Sequence, residues 1–507
     1  MNKLFQMKTA FSLFLILIIA TITFGQTKSY KRGVGYGYHS ATDMNTASGG
    51  ISWWYNWASQ PESAIRNTYS NYNVDFTPQA WNASGISGVN SWVSQDAKIK
   101  YILGFNEPNF KAQANMTPTQ AAAAWPQLQA IADQYNLKLV SPAVNYCGDC
   151  VSENGTVYNN PFKWLDDFFA ACAGCRVDYI ALHWYGGGNS MSSYINDARK
   201  YGKPIWVTEY ANWENGVTTQ GQKSYLAGTT NFLERDPDVF RYSWFIGRTS
   251  SGAAAYPYID LYGASGEMTA LGQLYLDIPV YDSTFVNELP GRIEAEEYYL
   301  QNGVFAELTN DTDGSMNIGY TEAGDWLKYK ISVTESGEYQ LITRYSGTSS
   351  GKFDLYIDDV KKVTVNTTNT GGWQSWSSVV NSINLEAGEH ILKLAVMSSG
   401  FNLNWLQFEK GSAGIDDYGV KQLQADISPN PITDHKFKIV FRSFISDDLT
   451  IRITDINGKT IFTRIVEKLN GKEIGIDLGN IPELTKAIYT LSVRGKGGFL
   501  NKKIALF

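Results

Sequence analysis

Eight short apolar segments alternate with helix-like stretches between Lys31 and Leu276, and this rhythm limits the fold more than any other feature of the chain. The segments are Arg32 to Tyr38, Ile51 to Trp57, Val74 to Trp81, Tyr101 to Glu107, Lys138 to Val144, Val177 to Tyr185, Pro204 to Tyr210 and Arg241 to Gly247. Between them, Thr117 to Tyr135 opens on a Thr-Pro pair and is rich in Ala and Leu, which suits a helix. Pro161 to Ala171 sets Trp164, Leu165, Phe168 and Phe169 at helical spacing. Strand alternating with helix eight times in about 245 residues predicts a (β/α)8 barrel. A doubly wound sheet rarely needs eight parallel strands in that length.

Two segments end in a carboxylate. Tyr101-Ile-Leu-Gly-Phe-Asn-Glu107 delivers Glu107 beside Asn106, and Pro204-Ile-Trp-Val-Thr-Glu209 delivers Glu209. Strand ends of a parallel barrel share one mouth, so residues distant in sequence meet there. Two carboxylates so placed suit acid-catalysed glycoside hydrolysis, which in its retaining form sets them roughly 5 Å apart. Glu107 would then carry a proton for the leaving oxygen while Glu209 stays charged. His183 and Tyr185 share a strand face by period-2 alternation, and either can hydrogen-bond Glu209. The same alternation sets Trp54 and Asn56 on one face and Trp53, Tyr55 and Trp57 on the other. This chemistry needs no cofactor.

The chain has 507 residues, enough for about three domains, and a formal net charge of -7 without a basic run. Nucleic-acid binding is thereby excluded as an expectation. Residues 1–25 read as a signal peptide: Lys3 and Lys8, the apolar run Phe11 to Ala20, and a small-residue cleavage site at Thr23-Phe-Gly25. All four cysteines fall in Cys147-x-x-Cys150 and Cys172-x-x-Cys175. Such spacing fits a four-thiolate zinc site or disulfides, and export favours disulfides. Either would pin the loop after one strand to the helix before the next.

Domain boundaries follow the texture: a catalytic domain over 26–278, a linker over 279–290, an all-β, jelly-roll-like sandwich over 291–411, a linker over 412–423, and a small all-β domain over 424–507. Alternating strands and Gly-rich turns such as Asn369-Thr-Gly-Gly372 mark the sandwich. The last segment carries Leu449 to Thr454, an Asn457-Gly458 turn and Ile488 to Val493.

Several motifs carry a resemblance. Asn106-Glu107-Pro108 and Thr208-Glu209 resemble the strand-four and strand-seven signatures of the clan of retaining (β/α)8 glycoside hydrolases. Trp53-Trp-Tyr-Asn-Trp57, Leu103 to Asn109, Val140-Ser-Pro-Ala143, Leu182-His-Trp-Tyr-Gly186, Val207 to Tyr210 and Tyr242-Ser-Trp-Phe245 resemble glycoside hydrolase family 128, which contains β-1,3-glucanases. The resemblance implies Glu107 as acid/base, Glu209 as nucleophile, Asn106 on the sugar 2-hydroxyl, and Trp244 as the platform under the sugar. Trp54, His183 and Tyr185 complete the expected substrate-binding set.

Residues 291–410 resemble a family 6 carbohydrate-binding module through Arg292 to Glu296, Ile318 to Trp326, Thr370 to Trp373 and Gly400 to Trp405. That implies a sugar between Tyr320 and Trp373 beside Asn402 and Glu307, and structural calcium on Glu294 and Glu296, with Asn404 where the family often has Asp. Trp326 and Trp405 are expected between the sheets. Ser428-Pro-Asn-Pro431, Ile453 to Gly458 and Asn501-Lys-Lys-Ile504 resemble the C-terminal sorting domain of type IX secretion substrates. The expected protein is therefore a secreted, monomeric, retaining endo-β-1,3-glucanase. Its partners would be β-1,3-glucan, such as laminarin or curdlan, and the outer-membrane secretion machinery. Other β-glycans, transglycosylation, and an inactive polysaccharide-capture protein are the alternatives.

Overall fold

The computed structural model describes residues 28–312, 315–410, 423–455, 460–479, 481, 484, 487–495 and 498–506. The signal peptide, the Gly411-Ser-Ala-Gly414 linker and the Asn457-Gly458 turn lie outside the described residues. Two compact units result, one ending at Gly411 and one starting at Ser412.

The first unit begins with eight parallel strands: β1 (Arg32–Gly35), β2 (Trp53–Tyr55), β3 (Asp75–Phe76), β4 (Tyr101–Leu103), β5 (Lys138–Val144), β6 (Tyr179–Trp184), β7 (Ile205–Tyr210) and β8 (Val239–Phe245). Their order in the sheet is β3-β2-β1-β8-β7-β6-β5-β4. The outer strands meet, because Leu103 N–H donates to Pro78 O at 2.9 Å and Ala80 N–H to Leu103 O at 3.1 Å. This is a TIM-like sheet. Seven helices cover it: α1 (Ala41–Ala47), α2 (Ile86–Val93), α3 (Pro118–Gln134), α4 (Pro161–Ala171), α5 (Met191–Ala198), α6 (Thr219–Arg235) and α7 (Ala270–Asp277). The Thr-Pro signal has a physical cause: Thr117 caps α3 in a capping box with Gln120, and Pro118 occupies the first turn. Between β2 and β3 a 3₁₀ turn, Tyr69–Tyr72, stands where a helix is expected.

The sheet interior is aromatic at its lower end, where Arg241 lies over the rings of Tyr101 (4.9 Å), Trp206 (5.2 Å) and Trp53 (5.6 Å). Gly33 makes room for this layer, since a Cβ there would fall 2.4 Å from the Trp53 indole. The upper end carries the buried polar groups Asn106, Glu107, His183 and Glu209.

Each Cys-x-x-Cys closes on itself, as Cys147–Cys150 and Cys172–Cys175. Disulfides are thus present, but they tie no loop to a distant helix. Cys172 caps the end of α4, and the two pairs belong to separate turns.

The sandwich follows without a gap. Asn287–Leu289, inside the stretch read as a linker, pairs with Trp326–Val333. Two sheets of six strands enclose Leu327, Tyr329, Ile331, Leu355, Leu394 and Phe408. Trp326 and Trp405 are not between the sheets. Alternation turns Leu327 inward and Trp326 outward beneath Lys328, while Trp405 lies under the Arg292 guanidinium at 4.6 Å.

One face of α6 holds the sandwich. Ser224, Ala227, Gly228, Asn231 and Arg235 recur at helical spacing. Ala227 joins the sandwich core. A Cβ on Gly228 would lie 1.8 Å from Ala306 O. Ser224 Oγ accepts from Leu308 N–H at 3.1 Å, Asn231 donates to Glu296 O at 3.3 Å, and Arg235 donates to Tyr298 O at 2.9 Å.

The second unit is one five-stranded antiparallel sheet, in which Lys436–Thr454 pairs with Ala425–Ser428, Thr460–Asp477 and Ile488–Gly495, and the last of these with Gly498–Ala505. Its core gathers Ile439, Ile451, Leu491, Val493 and Ile504.

Candidate active site

Glu209 owes its position to a bulge. Leu182 pairs with Val207 and His183 with Glu209, so Thr208 is skipped; the β7–β8 register shifts at the same place. Trp206 points inside and Val207 outside. Strict alternation would send Glu209 outward with Val207, and the extra residue returns it to the mouth. There it accepts from Trp57 Nε1 at 2.7 Å, from Tyr55 O–H at 2.9 Å, and from Tyr185 O–H in a short bond. Burial and the Glu209 charge push both phenols well above the ordinary tyrosine range, so they stay protonated donors.

Glu107 lies beyond the end of β4, in a loop rather than on the strand as expected. Its φ is 40°, a left-handed conformation rare outside glycine. Its N–H bonds Ala143 O at 2.9 Å, which fixes the loop to β5. The His183 ring connects the two acids, with Nδ1 3.0 Å from Glu107 Oε1 and 3.2 Å from Glu209 Oε2. Burial works against charge on this imidazole, but Glu209 and Glu107 outweigh it and hold its pKa above the usual 6.5. An oxygen from each carboxylate and the histidine nitrogen lie within 4.8 Å of one another. Both carboxylates are nearly buried, at 7 % and 4 % exposed.

Of the two residues expected to hydrogen-bond Glu209, Tyr185 does so. His183 is fully buried between the carboxylates. Asn106 is also buried; it donates to Gln113 Oε1 at 3.3 Å and accepts from Gln79 at 3.4 Å, both long bonds. Two expectations are corrected. Trp54 faces away from the mouth, packed on Tyr69 and Phe76, with its N–H on Glu62. Trp244 is likewise outside the sheet, against Tyr210 at 5.1 Å, with its N–H on Ile259 O at 2.7 Å. Phe245, one residue on, faces the mouth and meets Trp57, Tyr185 and Trp213. Tyr55, Trp57, Phe245, Trp213 and Asn145 (3.5 Å from Glu107) are the neighbours that sequence reasoning missed. The alternation of Trp53, Tyr55 and Trp57 was the available signal; what it lacked was which face is inside.

In the sandwich, Asn402 donates to Glu307 Oε1 at 3.0 Å and to Trp373 O at 2.9 Å, and the side chains of Tyr320 and Trp373 are exposed. Asn402 itself is buried. Gln374 adds a donor to Glu307 at 3.3 Å. Of the expected calcium ligands, Glu294 pairs with Arg292 at 2.7 Å. Glu296 is buried rather than solvated, and burial pushes its carboxyl up to about 8.

Two buried carboxylates facing one another at the mouth of a TIM-like sheet, ringed by aromatic side chains, define a glycoside hydrolase. Residues 33–275 match the glycosyl hydrolase catalytic core, 294–410 the carbohydrate binding module of family 6, and 426–506 the secretion system C-terminal sorting domain. A family 128 (subgroup II) endo-β-1,3-glucanase from Pseudomonas viridiflava is 41 % identical over 50 % of this chain and 100 % of its own, with a TM-score of 0.46. A subgroup I enzyme from Amycolatopsis mediterranei, in complex with laminaritriose, is 29 % identical over 49 % of this chain and 98 % of its own, with a TM-score of 0.39. Alkali-sensitive linkage protein 1 of Schizosaccharomyces pombe is 31 % identical over 49 % of this chain and 44 % of its own length. The chain spans less than half the length of the curated relatives it matches. On the identity to the first of these, which runs the whole length of that enzyme, the chain belongs to glycoside hydrolase family 128. It carries a carbohydrate-binding module, and its sorting domain makes it a secreted or cell-surface protein.

Proposed function

We propose that the protein is a retaining endo-β-1,3-glucanase exported by type IX secretion and acting as a monomer. The observation that carries the mechanism is the approach of the two carboxylates to within 4.8 Å, the separation of a double-displacement pair. Glu209, oriented by donors from Trp57, Tyr55 and Tyr185, attacks the anomeric carbon. Glu107, with few donors, gives its proton to the leaving oxygen and then takes one from the water that frees the glycosyl-enzyme. Asn106, loosely held, is available to the sugar 2-hydroxyl. Phe245 and Trp213 take the platform role first given to Trp244. The β-1,3 linkage rests on the relatives, one of which was solved with laminaritriose.

Calcium fits part of the residue set implied for it. Glu296 Oε2 and Asn404 Oδ1 are buried without a partner among the described residues, in strands and a turn that pack together. Hard oxygens of this kind would hold calcium, which would neutralise the buried carboxylate. Glu294, engaged by Arg292, is not needed.

The test is reducing-sugar release on a panel of purified glucans, beside Glu107→Gln and Glu209→Gln. Cleavage of β-1,3-glucan with retention at the anomeric centre, and loss of about a thousandfold or more in each variant, is expected. Cleavage of another glucan would overturn the substrate, and inversion would overturn the mechanism.

A further inference from the structure

Contacts and adjacent residues lead from the catalytic mouth to Tyr320 of the module. Trp213, on the loop after β7, packs on Tyr185 at 5.6 Å and Phe245 at 5.9 Å and leaves 43 % of its surface exposed. The next residue, Glu214, lies 3.1 Å from where a Cβ on Gly187 would stand. Gly188 in turn has no room for a side chain, because the Phe305 ring of the module would be 2.4 Å from its Cβ. Phe305 packs edge-on against Tyr320 at 5.7 Å, and Tyr320 is 54 % exposed. Burial raises the Tyr320 phenol first, then Glu307, then Glu214 of the catalytic domain.

We propose that the module is a fixed extension of the substrate groove, so that one glucan chain held at Tyr320 and Trp373 runs over Trp213 to the carboxylates. This deepens the glucanase reading and rests on it. A module on a flexible linker raises only the local concentration of enzyme on its polymer. Here the α6 face fixes the module in one orientation on the catalytic domain, so the added contacts act on a single chain without further ordering cost. The chemistry selected is a soluble β-1,3-glucan strand long enough to span both sites.

The experiment uses the full-length protein and compares kcat/KM on soluble laminari-trisaccharide and tetrasaccharide with kcat/KM on long soluble laminari-oligosaccharides. The wild type is expected to gain about tenfold with length, equivalent to about 1.4 kcal/mol. Tyr320→Ala is expected to abolish that gain. Gly228→Leu, which drives α6 from the module, should abolish it while keeping the rate on short chains; the pair Ser224→Ala with Arg235→Ala replaces it if the leucine variant does not fold. A length gain that survives Tyr320→Ala, with only adsorption to insoluble glucan lost, overturns the proposal and leaves an independent anchor. A wild type that cuts no β-1,3-glucan of any length while still binding it overturns the glucanase reading itself, and the proposal with it.

Discussion

Glu209 receives three hydrogen-bond donors, from Trp57, Tyr55 and Tyr185, while the His183 N–H goes to Glu107 beside a distant Asn145, and in the proposed mechanism this inequality gives two chemically identical side chains different roles. Removing one donor tests it. Tyr185→Phe should lower kcat about 10- to 100-fold with the fold intact, because a hydrogen bond to a charged group is worth about 1.5–3 kcal/mol; steady-state kinetics beside circular dichroism would show it. His183 gives the pH dependence. Its folded value lies above 6.5, so the stability it contributes is complete below that pH and is lost as pH rises through the folded value. Urea denaturation should register the fall in wild type and lose it in Glu209→Gln, where the leading attraction is gone. The two tryptophan corrections show what was legible at this scale. That Trp53, Tyr55 and Trp57 share a face follows from the pleat, but the inward face of β8 does not follow from resemblance, and it was Phe245. Trp244→Ala should cost about 3–5 kcal/mol of stability as a core truncation. Phe245→Ala should instead raise KM with a smaller loss of stability, and both are measured on the same preparations.

Elements were read well where periodicity and caps agreed. Lys138–Val144 and Pro161–Ala171 match the segments expected from the sequence, and Thr117 caps α3 as the Thr-Pro pair implied. What escaped were the irregularities. The bulge at Thr208 leaves no compositional mark, yet it alone turns Glu209 into the mouth, and Glu107 depends on a left-handed residue after a strand that stops at Leu103. Disulfide connectivity was equally hidden, since spacing permits local or crossed pairing. Local pairing has a measurable consequence. A bridge with a sequence separation of 3 restricts the unfolded chain little, so Cys172→Ser with Cys175→Ser should cost no more than about 2 kcal/mol in urea denaturation. A crossed bridge over about 25 residues would have cost about 3–4 kcal/mol.

At the scale of the molecule, the domain boundaries drawn from texture imply beads on a string, while α6 belongs to two cores at once. The same helix follows the loop that carries Trp213, packs on the sheet through Tyr225, Leu226 and Leu233, and gives Ala227 and Gly228 to the sandwich. No composition shift announces such sharing, because the face toward the module is made of small residues, Ser224, Ala227 and Gly228, which look neutral in sequence and matter only through the backbone approach they allow. The physical consequence is coupled unfolding. A sheet domain cut after residue 280 would expose that face and the Arg235 donor to water and lose the contacts with Ala306, Leu308 and Tyr298. Calorimetry on the full-length protein should therefore show the catalytic domain and module melting in one transition, with the truncated domain melting several degrees lower, as expected for a loss of about 1–2 kcal/mol in a domain of this size. Calcium gives the matching test from the module's side. Chelation should lower that shared transition, and Glu296→Gln should remove the response. If the catalytic domain kept its melting temperature when the module's fell, the two cores would be independent and the shared helix would be only a contact.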